Sequence, residues 1–80
     1  MKYLSTRNNK LQKSFSEILF QGLSSDGGLF LPNIWPSIDI KVLRQKSYQQ
    51  VALNIIYPFI SKEISEDNLY EIINKTYKNF

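Results

Sequence analysis

Apolar residues recur at helical spacing along most of the chain. The first such stretch starts at Ser14, which forms a capping-box pattern with Glu17, and Gly22 is placed to end it. Three more helices are predicted, each with a polar capping residue at its start. They cover residues 40–45 after Asp39, residues 48–57 between Ser47 and Pro58, and the segment after Ser65, whose apolar stripe is Leu69, Ile72, Ile73, Tyr77 and Phe80.

Two short segments instead alternate apolar and polar residues or collect β-forming residues. Residues 2–6 are predicted to form one strand and residues 29–31 another, which Pro32 ends. Between the first helix and the second strand, Asp26, Gly27 and Gly28 predict a tight turn, because Asp can bond its own backbone and glycine accepts positive φ. The sequence therefore predicts an α+β fold, with three to four helices packed on a small two-stranded sheet, in a single domain over residues 1–80.

Several side chains are expected to complete the core of this domain. Val42 and Leu43 should face inward from the short second helix. Trp35 lies between two prolines and is expected to be a buried ring that pins this loop, as a core residue or an interface plug. A domain of 80 residues buries a smaller share of its surface than a large one, so some apolar surface is left for a partner.

The composition excludes several kinds of site. The chain has no cysteine and no histidine, which removes the disulfide, the commonest metal ligands and the commonest general base. No metal site is therefore predicted. No apolar run approaches the ~20 residues of a membrane span, and no signal-peptide core follows Met1. We expect a cytoplasmic protein that does not bind a membrane.

The net charge of +3 is distributed unevenly. Residues 1–46 carry +4 and residues 47–80 carry −1. The basic half could face an anionic partner, but its lysines are scattered, which favours a solvated surface. No signature of a DNA- or RNA-binding domain is present, so nucleic acid is not a predicted partner.

Two groups of polar residues are candidates for a functional site. Asp26, Gly27 and Gly28 lead into a strand rather than a helix N-terminus, so a turn is favoured over a phosphate-binding loop. Ser5, Thr6 and Arg7 place two hydroxyls and a guanidinium at the end of the first strand. Arg7 could bind the carboxylate or phosphate of a ligand, but a structural contact with a carboxylate such as Asp26 is favoured.

The order and spacing of these residues resemble the amino-terminal domain of threonine synthase. The likeness extends over nearly the whole chain, and the Ser-Thr-Arg strand with the Asp-Gly-Gly-Leu-aromatic-x-Pro run is its most specific part. Two positions differ from the family pattern: Asn8 stands where glycine is usual, and Phe30 where tyrosine is usual. The residues that carry the likeness are Tyr3, Leu4, Ser5, Thr6, Arg7, Ser14, Phe15, Gly22, Leu23, Asp26, Gly27, Gly28, Leu29, Phe30, Pro32, Trp35, Pro36, Tyr48, Ala52, Pro58, Phe59, Ile64, Leu69, Ile72, Ile73, Tyr77 and Phe80.

The resemblance implies a parent enzyme of threonine biosynthesis. Such enzymes use pyridoxal 5′-phosphate, bound to a lysine, to convert O-phospho-L-homoserine and water into L-threonine and phosphate. In the family this lysine lies in the larger domains that follow, and those domains are absent from this chain. No catalytic or cofactor-binding residue is therefore assigned here, and the chain alone is expected to be inactive, whether it is an expressed fragment or a truncated product.

Two functions follow as expectations. The first is a non-catalytic amino-terminal domain of threonine synthase, whose partners are the remaining catalytic domains of the same enzyme. Ser5, Thr6, Arg7, Asp26, Gly27 and Gly28 are then its family signature and a possible interface. The alternative is a stand-alone small binding module for an anionic partner. Salt dependence separates the two, because binding to a phosphate backbone weakens steeply as salt is added.

Overall fold

A computed structural model describes residues 1–78, so the prediction for Phe80 lies outside the described residues. Within these residues the chain forms four helices and three short strands. The strands are β1 (Tyr3–Ser5), β2 (Gln12–Lys13) and β3 (Phe30–Pro32), and the helices are α1 (Phe15–Gln21), α2 (Ile40–Leu43), α3 (Tyr48–Ile60) and α4 (Glu66–Thr76). The predicted α+β class is confirmed. Two compact units divide the chain, Met1–Trp35 and Pro36–Phe80.

The sheet of the first unit has β1 at its centre. Its strand order is β2-β1-β3, and both neighbours of β1 are antiparallel to it. Tyr3 pairs with Lys13 on one side and with Pro32 on the other. The prediction of two strands is corrected to three, because the short polar segment Gln12–Lys13 pairs with β1 without any apolar alternation of its own.

Helix α1 begins and ends where the sequence predicts. The Ser14 side chain accepts from the Glu17 backbone N–H, and the Glu17 side chain accepts from the Ser14 N–H, which completes the capping box. Gly22 has φ of +77° and donates to the Ile18 carbonyl, a conformation that glycine adopts without a Cβ clash. The Phe15 ring lies 6.3 Å from the Tyr3 ring, so one face of α1 contacts the sheet. Tyr3, at 6% exposure, is the buried apolar side chain of this unit.

The second unit is built on α3 and α4, which pack against each other. Its buried apolar residues are Ile60, Leu69 and Ile73. The Tyr48 and Tyr77 rings meet edge to face with centroids 5.1 Å apart, and the Gln49 side chain donates to the Tyr77 carbonyl. The predicted caps are all confirmed: Asp39 caps α2, Ser47 forms a capping box with Gln50 on α3, and Ser65 caps α4.

Helix α3 does not end before Pro58 but continues to Ile60. Proline fixes φ near the helical value, but it removes one N–H donor and its ring crowds the carbonyl four residues earlier, here that of the exposed Asn54. Only two residues of α3 follow Pro58. The predicted end near Tyr57 was therefore wrong.

One prediction of burial was also wrong. Val42 is 58% exposed rather than inward-facing, whereas Leu43 is half-buried. Trp35 is 68% exposed, so it is not a core residue, and its role as an interface plug stays a prediction. Sequence periodicity shows which apolar residues share a face of a helix. It does not show whether another helix or strand packs over that face. No helix among residues 1–78 is long and apolar enough to cross a membrane.

Candidate functional site

The two polar groups singled out in the sequence meet in the first unit. Ser5, at the end of β1, and Asp26, in the turn before β3, are joined by the Ser5 hydroxyl, which lies 2.7 and 2.8 Å from the two carboxylate oxygens. The same Ser5 oxygen accepts from the Arg7 backbone N–H at 3.2 Å. Ser5 is 4% exposed, so its hydroxyl is buried and fully used.

The turn itself follows the geometry that its residue types predict. The Asp26 carboxylate accepts from the Gly28 N–H at 2.9 Å, which is the local side-chain-to-backbone bond typical of Asp in turns. Gly27 has φ of +83° and donates to the Ser24 carbonyl at 2.9 Å. The predicted tight turn is therefore confirmed.

Gly28 is glycine for a different reason, which is lack of space. It is buried, and a Cβ at this position would lie 2.6 Å from the Ser5 hydroxyl and 2.9 Å from that of Thr6. Thr6 and Leu29 fill the adjacent positions, with the Thr6 N–H donating to the Leu29 carbonyl and the Leu29 N–H to the Thr6 hydroxyl. The close approach of these two backbones is possible only because position 28 has no side chain.

Arg7 contacts the turn, but not through the carboxylate. Its Nη1 donates to the Asp26 backbone carbonyl at 3.2 Å, and its guanidinium lies against Gly27, where a Cβ would be 2.8 Å from Nη1. The hypothesis that Arg7 binds Asp26 was therefore correct, but Arg7 binds its backbone carbonyl and not its carboxylate. Ser5 binds the carboxylate, and Arg7 lies across the backbone of the turn on its exposed side.

These contacts set the charge state of the turn. The Gly28 N–H, followed by the Ser5 hydroxyl, holds the pKa of Asp26 below its ordinary value, and the charge of Arg7 acts in the same direction. Asp26 is therefore an anion that the fold stabilises. Its oxygens accept bonds from the protein, so this geometry is that of a structural anion rather than of a general base.

Ser24 is the one residue of the site that the sequence argument missed. It is 5% exposed, its N–H donates to the Gly28 carbonyl at 3.0 Å, and its Oγ has no hydrogen-bond partner among residues 1–78. The sequence signal was its place two residues before Asp26, where serine is common in turns.

The described residues do not fit a lysine-bound cofactor or a metal ion. A lysine that forms a Schiff base is activated by removal from water, whereas seven lysines here are exposed and the half-buried Lys13 lies 3.8 Å from Glu17. The backbone N–H of Gly28 is already bonded to Asp26, so the glycine turn has no phosphate-binding cradle. No cluster of metal-ligating side chains occurs within residues 1–78.

Comparison with known proteins agrees with this arrangement. A family model described as "Threonine synthase N terminus" matches residues 2–77. The chain belongs to the threonine synthase amino-terminal domain family. The resemblance seen in the Ser5-Thr6-Arg7 strand and the Asp26-Gly27-Gly28 turn is thereby confirmed as a family relationship.

Individual relatives show how much of a threonine synthase this family covers. The chain is 41% identical to threonine synthase of Methylobacillus glycogenes over 98% of its own length but 17% of that protein. It is 35% identical to the Schizosaccharomyces pombe enzyme, again over 98% of this chain and 16% of the relative. A crystal structure of threonine synthase from Brucella melitensis with bound PLP matches with a TM-score of 0.91 and 40% identity, over 100% of this chain and 18% of that one. The chain therefore spans less than a fifth of the relatives that it matches.

Proposed function

We propose that this chain is the amino-terminal, non-catalytic domain of a cytoplasmic threonine synthase. The parent enzyme converts O-phospho-L-homoserine and water into L-threonine and phosphate, with pyridoxal 5′-phosphate as its cofactor. The proposal rests on the family membership together with the PLP bound to the Brucella melitensis relative. PLP supplies the electron sink for such a reaction, and the lysine that holds it belongs to the remaining domains.

The role of this domain within the enzyme is structural support. The single observation that carries this role is that the signature residues bind one another. Ser5 and the Gly28 N–H bind Asp26, Thr6 binds Leu29, and Arg7 binds the carbonyl of Asp26. Such a network fixes the shape of the first unit and leaves few of its donors for a substrate.

The test is an assay of the intact protein encoded by the reading frame that contains this domain. Purified with PLP and given O-phospho-L-homoserine, it should release phosphate and L-threonine in equal amounts. Residues 1–80 alone are the matched control and should release neither. Absence of turnover by the intact protein would refute the proposed reaction. A lysine-Schiff-base absorbance that residues 1–80 keep after desalting would refute the support role.

A stand-alone module for an anionic partner is the second candidate. It is favoured by exposed cations near the amino terminus, namely Lys2, Arg7 and Lys10. Binding of the chain to an immobilised polyanion should then weaken steeply between low and high salt. For a supporting domain we expect no binding above that of a protein of the same net charge.

A further inference from the structure

The two faces of helix α1 have different surroundings. On the inner face, Phe15 and Ile18 are half-buried, and the Phe15 ring contacts Tyr3 of the sheet. On the opposite side, Phe20 is 89% exposed. Leu19, which is next to Phe15 on the helix surface, and Leu23, which follows the Gly22 cap, are each 62% exposed. We call Leu19, Phe20 and Leu23 the outer patch. The exposed positions of a surface helix are normally polar.

The chemistry of the outer patch points to an apolar partner. No charged residue occurs between positions 18 and 25, and the nearest carboxylate, Glu17, is bonded at the start of the helix and faces Lys13. Single exposed apolar residues are common. Three large ones within five positions are less usual, and concentrated apolar exposure is typical of interaction sites. An anionic ligand has nothing to bind there.

The length of the relatives indicates what this partner is. More than four fifths of the Methylobacillus glycogenes and Schizosaccharomyces pombe enzymes lies outside the part that matches this chain. We infer that the outer patch is the surface on which this domain docks against the remaining part of the same polypeptide. This inference rests on the proposed function and adds to it the residues that make the interface.

Cysteine labelling tests the inference, because the chain has no cysteine of its own. Phe20→Cys and Lys10→Cys are made separately in the intact protein, and the labelling rate of each position is followed by peptide mass spectrometry. Both side chains are exposed in this domain, so position 10 is the control for reagent access. We expect position 20 to be labelled about 10- to 100-fold more slowly than position 10, from the free energy of burying a leucine side chain such as Leu19 or Leu23, which this variant keeps.

A second pair of variants tests whether the Phe20 ring causes the protection. Leu23→Cys is labelled with Phe20 in place and again with Phe20→Ser. Loss of the ring weakens docking, so labelling at position 23 should become about tenfold faster or more. Because Phe20 is 89% exposed within the domain, the serine variant leaves its fold intact.

Each alternative result has a distinct meaning. Equal labelling at positions 10 and 20 would overturn the inference, whether or not the intact protein turns over O-phospho-L-homoserine. Protection at position 20 that disappears on dilution would assign the patch to a second copy of the chain, and would also overturn it. Protection that persists in a protein without turnover would support the docking surface while refuting the proposed reaction.

Discussion

Replacement of Gly28 by alanine is the sharpest test of how the site is built. The added Cβ would lie 2.6 Å from the Ser5 hydroxyl, 2.9 Å from that of Thr6 and 3.1 Å from an Asp26 carboxylate oxygen. Overpacking of this kind costs about 1–3 kcal/mol, whereas the reduced entropy of the unfolded chain returns about 0.4–1 kcal/mol. The clash therefore dominates, and we expect a net loss of about 1–2 kcal/mol.

Urea or thermal unfolding of the chain measures this loss. For a domain of this size the expected decrease in Tm is about 5–15 °C. Ser5→Ala removes the hydroxyl that lies closest to the added Cβ. In a protein that carries Ser5→Ala, Gly28→Ala should therefore cost at least about 0.5 kcal/mol less than it does in the wild type. Coupling energies of this size are found for residues in contact. Gly22→Ala is the contrasting variant: a Cβ there meets nothing within 4 Å, so its cost comes from the positive φ alone and should not change with Ser5→Ala. If the losses of the two single variants simply add up in the double variant, a steric clash between Cβ and the Ser5 hydroxyl is refuted.

Three further predictions concern charge, capping and the core. Because the pKa of Asp26 is lowered in the fold, its stabilising effect is present above its unfolded pKa of about 3.9 and is lost as the pH falls through the lower folded value. The free energy of unfolding should thus decrease below about pH 4. Asp26→Asn should flatten this decrease, and so should Glu17→Gln, because the pKa of Glu17 is also lowered; an unchanged pH profile in Asp26→Asn would contradict this. Ser47→Ala should cost about 1 kcal/mol in denaturant unfolding because it removes the α3 cap, and a change within error would refute the capping role. Ile73 is 3% exposed, so Ile73→Ala should lower the free energy of unfolding by about 2–5 kcal/mol. Ile72 is 52% exposed, so Ile72→Ala should lower it by less than about 1 kcal/mol. Equal losses would refute the assignment of the α4 core face.

The features predicted correctly from the sequence are those set by residues close together in the chain. The Ser14 and Ser47 capping boxes, the end of α1 at Gly22 and the turn at Asp26 each depend on partners within four residues. The physical causes are local hydrogen bonds and the freedom of glycine, which the residue types reveal directly.

The features missed depend on residues distant in the chain. Strand β2 exists because Gln12 and Lys13 meet the edge of β1, and nothing in this dipeptide predicts a strand. The Ser5 bond to Asp26 spans 21 positions. The sequence could place Ser5 and Arg7 at the end of a strand and Asp26 in a turn, without showing whether Ser5 or Arg7 binds the carboxylate. The guanidinium was the more obvious candidate by charge, but the short hydroxyl side chain fits the space beside Gly28.

Exposure was the least predictable property of the chain. Phe20, Trp35 and Val42 are apolar, and the usual expectation for such residues is burial. Burial depends on everything that covers a side chain, including residues distant in the sequence, and the residue type alone does not show what that cover is. Apolar periodicity therefore identified the faces of these helices but not their neighbours.

The central position of β1 determines the order in which the first unit folds. Pairing with β2 closes a loop of residues 6–11, whereas pairing with β3 must close residues 6–29. The longer loop is two doublings of the shorter one, which adds about 1.2 kcal/mol of closure entropy. We therefore expect the β1–β2 hairpin to form before β3 joins it. If the Asp26 turn closes last, its contacts should slow unfolding of the unit more than they speed its folding.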